Sequence, residues 1–180
     1  MMARVGWWRS NGLALIALAV LLPATVAVTT VNEWWDYNSG RAAQAVEVEA
    51  GAEASFGGAT WSDARLTRRS DGPSLGIPPG TKLMVATVDV TFGPDRAAPN
   101  GCTLTLGEAM GAQRQWGSAS TDPFDWYASE GMASYCASDA TEPYTVEVPF
   151  VLPEDAQGPY TIDVSVGEEL PRFLRLRLDD

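Results

Sequence analysis

Hydrophobic positions along the chain fall into two regimes. Residues 12–31 read GLALIALAVLLPATVAVTTV, an uncharged run. At about 1.5 Å per residue a helix of that length spans roughly 30 Å, the hydrocarbon thickness of a bilayer. From Val46 onward apolar and polar residues alternate with period two instead, which is the mark of half-buried strands. Val46 and Val48 alternate with Glu47 and Glu49. Residues 56–59 read as a turn or bulge leading into 60–68, where Trp61 and Leu66 are the best core candidates. The stretch 70–80, with Pro73, Pro78 and Pro79, is a loop by composition.

Residues 81–92 form the strongest predicted strand. Met84, Ala86, Val88, Val90 and Phe92 share one face, while Leu83 and Val85 on the other predict a central position. After a turn cluster over 93–101, Cys102, Leu104 and Leu106 alternate with Thr103 and Thr105, and 112–116 is a short return. Residues 118–141 show no period. Alternation resumes over 144–152, 160–166 and 173–178, and Pro149 marks an edge or a bulge. Seven to eight short strands with Gly/Pro-rich turns predict an all-β fold: an antiparallel β-sandwich behind one N-terminal transmembrane helix. The expected segments are a cytoplasmic N-terminus over 1–11, the helix over 12–31, a tether over 32–45 and the sandwich over 46–180.

Charge sets the orientation. Arg4 and Arg9 precede the apolar run, whereas every Asp and Glu follows it, so the part beyond Val31 carries 10 − 23 = −13. Positive flanks stay inside, which places the C-terminal domain outside the cytoplasm at the plasma membrane. Trp7 and Trp8 on one side and Trp34 and Trp35 on the other are spaced as a membrane-interface aromatic belt. A cleaved signal peptide, cut near Thr25-Val26-Ala27, is the competing reading; the run is longer than a usual signal core. The acidic field beyond the helix opposes phosphate backbones, so nucleic acid is not an expected partner. The expected partners are the lipid bilayer, through residues 12–31, and a membrane or envelope protein. A single lysine against eleven arginines suggests bacterial coding.

Several chemistries lack their residues. Without histidine there is no Ser-His-Asp or Cys-His nucleophile and no histidine metal site. The acid pairs Asp122/Asp125 and Glu154/Asp155 follow no calcium-loop spacing, so neither a metal nor a cofactor is expected. Cys102 and Cys136 are the only cysteines, and outside the cytosol such a pair reads as a disulfide. The sequence DPFDWYASEGMASY is the most unusual loop. It supplies a candidate partner-binding set: Asp122, Phe124, Asp125, Trp126, Tyr127, Glu130 and Tyr135. The alternative is that its aromatics pack over one end of the sandwich. Arg172, Arg175 and Arg177 read as a solvated strand face that pairs with Glu168, Glu169, Asp179 or Asp180.

Three stretches carry a resemblance. They are TKLMVATVDVTF, a long strand after a Pro-Gly turn; CTLTLGEAMGAQRQW, a strand, a glycine turn and an aromatic close; and YTVEVPFVLPEDA, an alternating strand ending in proline and an acidic turn. Together they resemble the membrane-anchored immunoglobulin-like extracytoplasmic domains of Gram-positive-type bacteria, mostly of unknown function. The resemblance spans roughly 46–178, implies an immunoglobulin-like sandwich serving as a binding module, and hands over no catalytic residue. The expected function is therefore non-enzymatic: an anchored binding or assembly module, in the sharper form an accessory subunit of an envelope complex. The alternative is an anchored or secreted hydrolase working through carboxylates.

Overall fold

The computed structural model describes residues 10–93, 98–99, 101–119 and 124–178. Two compact units divide the chain, Met1–Arg41 and Ala42–Asp180. The first contains helix α1, Gly12–Ser39, long and apolar enough by length and composition to cross a membrane, with no buried residue. Pro23 lies inside it without ending it. Thr25 and Thr29 turn their hydroxyls onto the carbonyls of Leu21 (2.8 Å) and Thr25 (3.0 Å), so neither presents a free donor.

The helix runs two turns past the apolar stretch, so the tether expected over 32–45 contracts to 40–43. Its last turns hold themselves together. Asn32 Nδ2 donates to Asp36 Oδ2 (3.4 Å), Asn38 Nδ2 to the Trp34 carbonyl (2.7 Å), and no glycine or proline interrupts before Gly40. Trp34 and Trp35 are exposed on this extension. Trp7 and Trp8 lie outside the described residues.

The second unit is mostly β, with nine strands among the described residues: β1 Gln44–Val48, β2 Ala54–Phe56, β3 Ala59–Arg69, β4 Thr81–Thr91, β5 Cys102–Glu108, β6 Gln115–Gly117, β7 Tyr144–Pro153, β8 Tyr160–Val166 and β9 Arg172–Arg177. The strand beyond the expected seven to eight is β2, which folds back on β3 over Gly57-Gly58. Both glycines have positive φ, and a Cβ on Gly57 would come within 2.8 Å of the Val166 side chain, so the turn requires glycine there.

Two sheets result, with strand orders β1-β9-β8-β5-β6 and β2-β3-β4-β7. Every ladder is antiparallel except β1 with β9, which is parallel. The fully antiparallel expectation is corrected at that edge. Ala43 and Gln44 donate their N–H groups to the Pro171 carbonyl (2.8 and 3.0 Å), starting β1 alongside β9 in the same direction. Alternation is identical in both kinds of ladder, so the sequence does not carry strand direction.

The inner faces of the two sheets share one core. Leu104, Leu106, Ile162, Val164 and Leu174 from the five-stranded sheet meet Trp61, Val88, Val90, Val146 and Phe150 from the other. Trp61 is fully buried and its indole N–H donates to the Phe56 carbonyl (2.9 Å), so burial leaves no orphan donor. Each such side chain contributes about 1.5–3 kcal/mol on leaving water. The predicted two-faced burial of β4 is also present. Leu83 and Val85 point away from this core into a second cluster with Ile77, Phe124 and Trp126.

Strand β7 is an edge strand, as Pro149 suggested. The long segment after β6 lies along that edge. Ala119 N–H donates to the Pro149 carbonyl (2.8 Å), Glu147 N–H to Ala133 (2.8 Å), and Ala133 N–H to Thr145 (2.9 Å). Because Pro149 turns its carbonyl toward the segment, its nitrogen faces the same way and its missing N–H costs the β4 ladder nothing.

The same segment then reaches the other sheet. Cys136 pairs with Cys102 at the start of β5, with Cα atoms 5.5 Å apart and a sequence separation of 34. On chain-entropy grounds a loop of that size is stabilised by about 3–4 kcal/mol. Replacing both cysteines by serine should lower the unfolding free energy by that amount in urea titration. Reduced wild-type protein should match the variant, and an unchanged midpoint would contradict the expectation.

Candidate functional site

The long segment divides its aromatic residues by alternate position. Phe124 and Trp126 are buried, Trp126 at 4% exposure, with Ile77 from the preceding loop and Leu83 and Val85 on the outer face of β4. Tyr127 and Tyr135 are 82% and 65% exposed. Asp125 and Glu130 are exposed as well, while Asp122 lies outside the described residues. The expectation that all seven form one partner-binding set therefore needs correction: Phe124 and Trp126 are roofing for β4, because a strand with apolar residues on both faces must cover both. What remains at the surface is two tyrosines, Asp125 and Glu130.

These exposed groups sit on a fixed base. The Glu147 carboxylate, buried on the outward side of β7, accepts the Ser129 N–H (2.5 Å) and the Ser129 hydroxyl (3.2 Å). The Ala133 bridge to β7 and the Cys102–Cys136 pairing hold the far end. Between these points the chain turns through Gly131, φ +81°, with Met132 N–H donating to the Ser129 carbonyl (2.9 Å).

A second candidate lies on the outer face of the five-stranded sheet, and the sequence reading passed over it. Register places two polar rungs across the strands. One runs Gln115, Gly107, Thr161, Arg177; the other runs Gly117, Thr105, Asp163, Arg175, Glu47. Asp163, buried, accepts the Nε and Nη2 of Arg175 at 2.8 and 2.7 Å. Arg175 Nη1 is 3.6 Å from Glu47, and Arg177 reaches Glu47 (3.3 Å) and Glu49 (3.5 Å). Arg175 is held even more firmly protonated than usual, chiefly by the Asp163 carboxylate. A cleft of about 590 Å³ lies over this face.

Of the carboxylates offered to the basic C-terminal strand by sequence proximity, only Glu169 pairs, with Arg172. Asp179 and Asp180 are outside the described residues. The missed signal was the matching of Glu47 and Glu49 with Arg175 and Arg177 at the same spacing on two strands. It has meaning only once those strands are known to be neighbours.

Beside the cleft, buried Glu108 is clamped by Arg114 (2.7 and 3.0 Å) and by the Gln157 N–H (3.2 Å); Arg114 also reaches Asp155 (3.1 Å). The Arg114 hydrogen bonds hold the Glu108 pKa down at about 2, against an ordinary 4.5. Asp71 is likewise pushed down by Arg69. Both shifts run opposite to that of a general acid poised near neutrality. Among the described residues no group of three or more His, Cys, Asp or Glu side chains is placed to hold a metal ion. No family model, curated protein or solved structure matches the chain.

Trp126→Ala should cost about 3 kcal/mol or more in unfolding free energy. Tyr127→Ala should stay within about 0.5 kcal/mol of wild type. Denaturant titrations of both variants check the division into roof and surface. Glu108 generates a pH expectation. Its folded pKa is depressed, so its stabilisation is complete above about 4.5 and disappears as pH falls through about 2. The gap in melting temperature between wild type and Glu108→Gln should hold steady from pH 7 to 5 and close between 4.5 and 2; a gap unchanged at pH 2 would rule the clamp out.

Proposed function

We propose that this chain is a single-pass plasma-membrane protein, N-terminus in the cytoplasm, that displays an immunoglobulin-like β-sandwich outside as a non-enzymatic binding or assembly module. The strand order supports the immunoglobulin-like form. Strands β3, β4 and β7 share one sheet and β5, β8 and β9 the other, so from β3 onward the chain changes sheets after β4, after β6 and again after β7. That order corresponds to the A-B-E and C-F-G grouping of such sandwiches. The parallel β1 is an addition at the edge.

The apolar helix, the arginines ahead of it and the acids behind it support the orientation. The short connection over 40–43 favours partners at the membrane surface, among them the other subunits of an envelope complex. One observation carries the binding role. Tyr127 and Tyr135 are held in solvent by a segment anchored through Ser129, Ala133 and Cys136. Tyrosine ordered before contact loses little entropy on binding and offers both an apolar face and a hydroxyl, which is why it dominates recognition surfaces. Asp125 and Glu130 bias the partner surface toward basic groups.

Photo-crosslinking in intact cells tests this. A benzophenone amino acid at 127 or 135 should give a discrete adduct with a membrane or envelope protein, and Glu130→Lys should reduce it several-fold. The same probe at exposed position 65, on β3, should give none. Adducts absent from both tyrosine positions, or equally strong at 65, would defeat the proposal.

A further inference from the structure

We infer that the cleft on the outer face of the five-stranded sheet is a second binding site, taking a neutral, polyhydroxylated ligand of the oligosaccharide class. The inference is independent of the tyrosine segment, which packs on the outer face of the other sheet.

Three observations carry it. The first is the floor. In the rung Gln115, Gly107, Thr161, Arg177, strand β5 contributes glycine, so nothing rises between the amide and the hydroxyl. A Cβ at Gly107 would already sit 3.0 Å from Thr161 Oγ1, so the opening depends on that residue having no side chain. The second is the polarity. Small-molecule pockets are mostly apolar with a few polar groups, whereas polar and apolar groups line this cleft in comparable measure. Gln115, Thr161, Arg175 and Arg177 line it with an amide, a hydroxyl and guanidinium groups, alongside Met110, Pro159 and Leu178. A ligand must exchange both donors and acceptors with such a surface, as sugar hydroxyls do.

The third is charge. The domain carries a large negative charge, yet every charged group lining the cleft is paired: Arg175 and Arg177 with Glu47, Arg175 also with Asp163, Arg177 also with Glu49, and Glu108 with Arg114. An anionic ligand would meet Glu47 and a cationic one the two arginines, whereas a neutral polar ligand meets neither opposition. Asp163 also fixes the Arg175 guanidinium in place, leaving Nη1, which does not bond to it, turned toward Glu47. Donor directions are therefore set before a ligand arrives.

Full-length protein in detergent micelles should be titrated calorimetrically with a linear glucose hexasaccharide, a linear mannose hexasaccharide, an N-acetylglucosamine tetrasaccharide and, as the acidic comparison, hexagalacturonate. At least one neutral probe should bind with a dissociation constant of about 1 mM or tighter. Gln115→Ala and Arg177→Ala, both at exposed positions, should each weaken it about tenfold without changing the melting temperature. Tyr127→Ala should leave it unchanged, so failure here and failure of the partner-binding proposal are distinguishable. No binding of any neutral probe at about 5 mM would overturn the inference. So would binding that survives both substitutions, or tighter binding of hexagalacturonate.

Discussion

Strand β4 has apolar side chains on both faces, and much of the domain follows from having to cover them. One face is covered by the second sheet in the ordinary way. The other would face water, and burying Leu83 and Val85 there is worth several kcal/mol. The cover comes from the segment after β6, which lays Phe124 and Trp126 over the strand. A segment without regular structure must satisfy its own backbone groups, and it does so along the β7 edge through Ala119 and Ala133. That contact also blunts an edge that would otherwise be open to pairing with another chain. The Cys102–Cys136 pairing then secures the segment to the opposite sheet.

Buried acids follow a single rule throughout. Asp163 has Arg175, Glu108 has Arg114 and the Gln157 N–H, and Glu147 has the Ser129 N–H and hydroxyl. A carboxylate withdrawn from water needs such partners, because unpaired burial costs several kcal/mol. These pairs also shape the surface. They tie the charges of the face over β5, β8 and β9 into ion pairs. The two outer faces thus present different chemistry: one roofed and aromatic, the other open, polar and ion-paired.

The fold was largely legible in the sequence. Alternation placed six of the nine strands to within about two residues, and the apolar residues on both faces of β4 revealed its interior position. Composition was the poorer guide at the helix end, where Asn32, Asp36 and Asn38 extend α1 by bonding within it. The candidate site was legible only in part. The segment of 118–141 stood out for its aromatic content, but nothing in its residue types separates Trp126, which is buried, from Tyr127, which is not. The cleft over β5 was not legible, because Glu47, Gln115 and Arg175 come from three distant parts of the chain.

What the sequence determines by itself is local. Period-two alternation, an uncharged twenty-residue run and turn-forming glycines and prolines each act through residues near one another in sequence, so they can be read before any fold is known. Tertiary structure decides what depends on neighbours across sheets: that β1 runs parallel to β9, which aromatic residues become a roof, and which arginine meets which acid. Those outcomes follow from the register and order of strands, and pairing across a sheet joins residues whose separation along the chain carries no information about their separation in space.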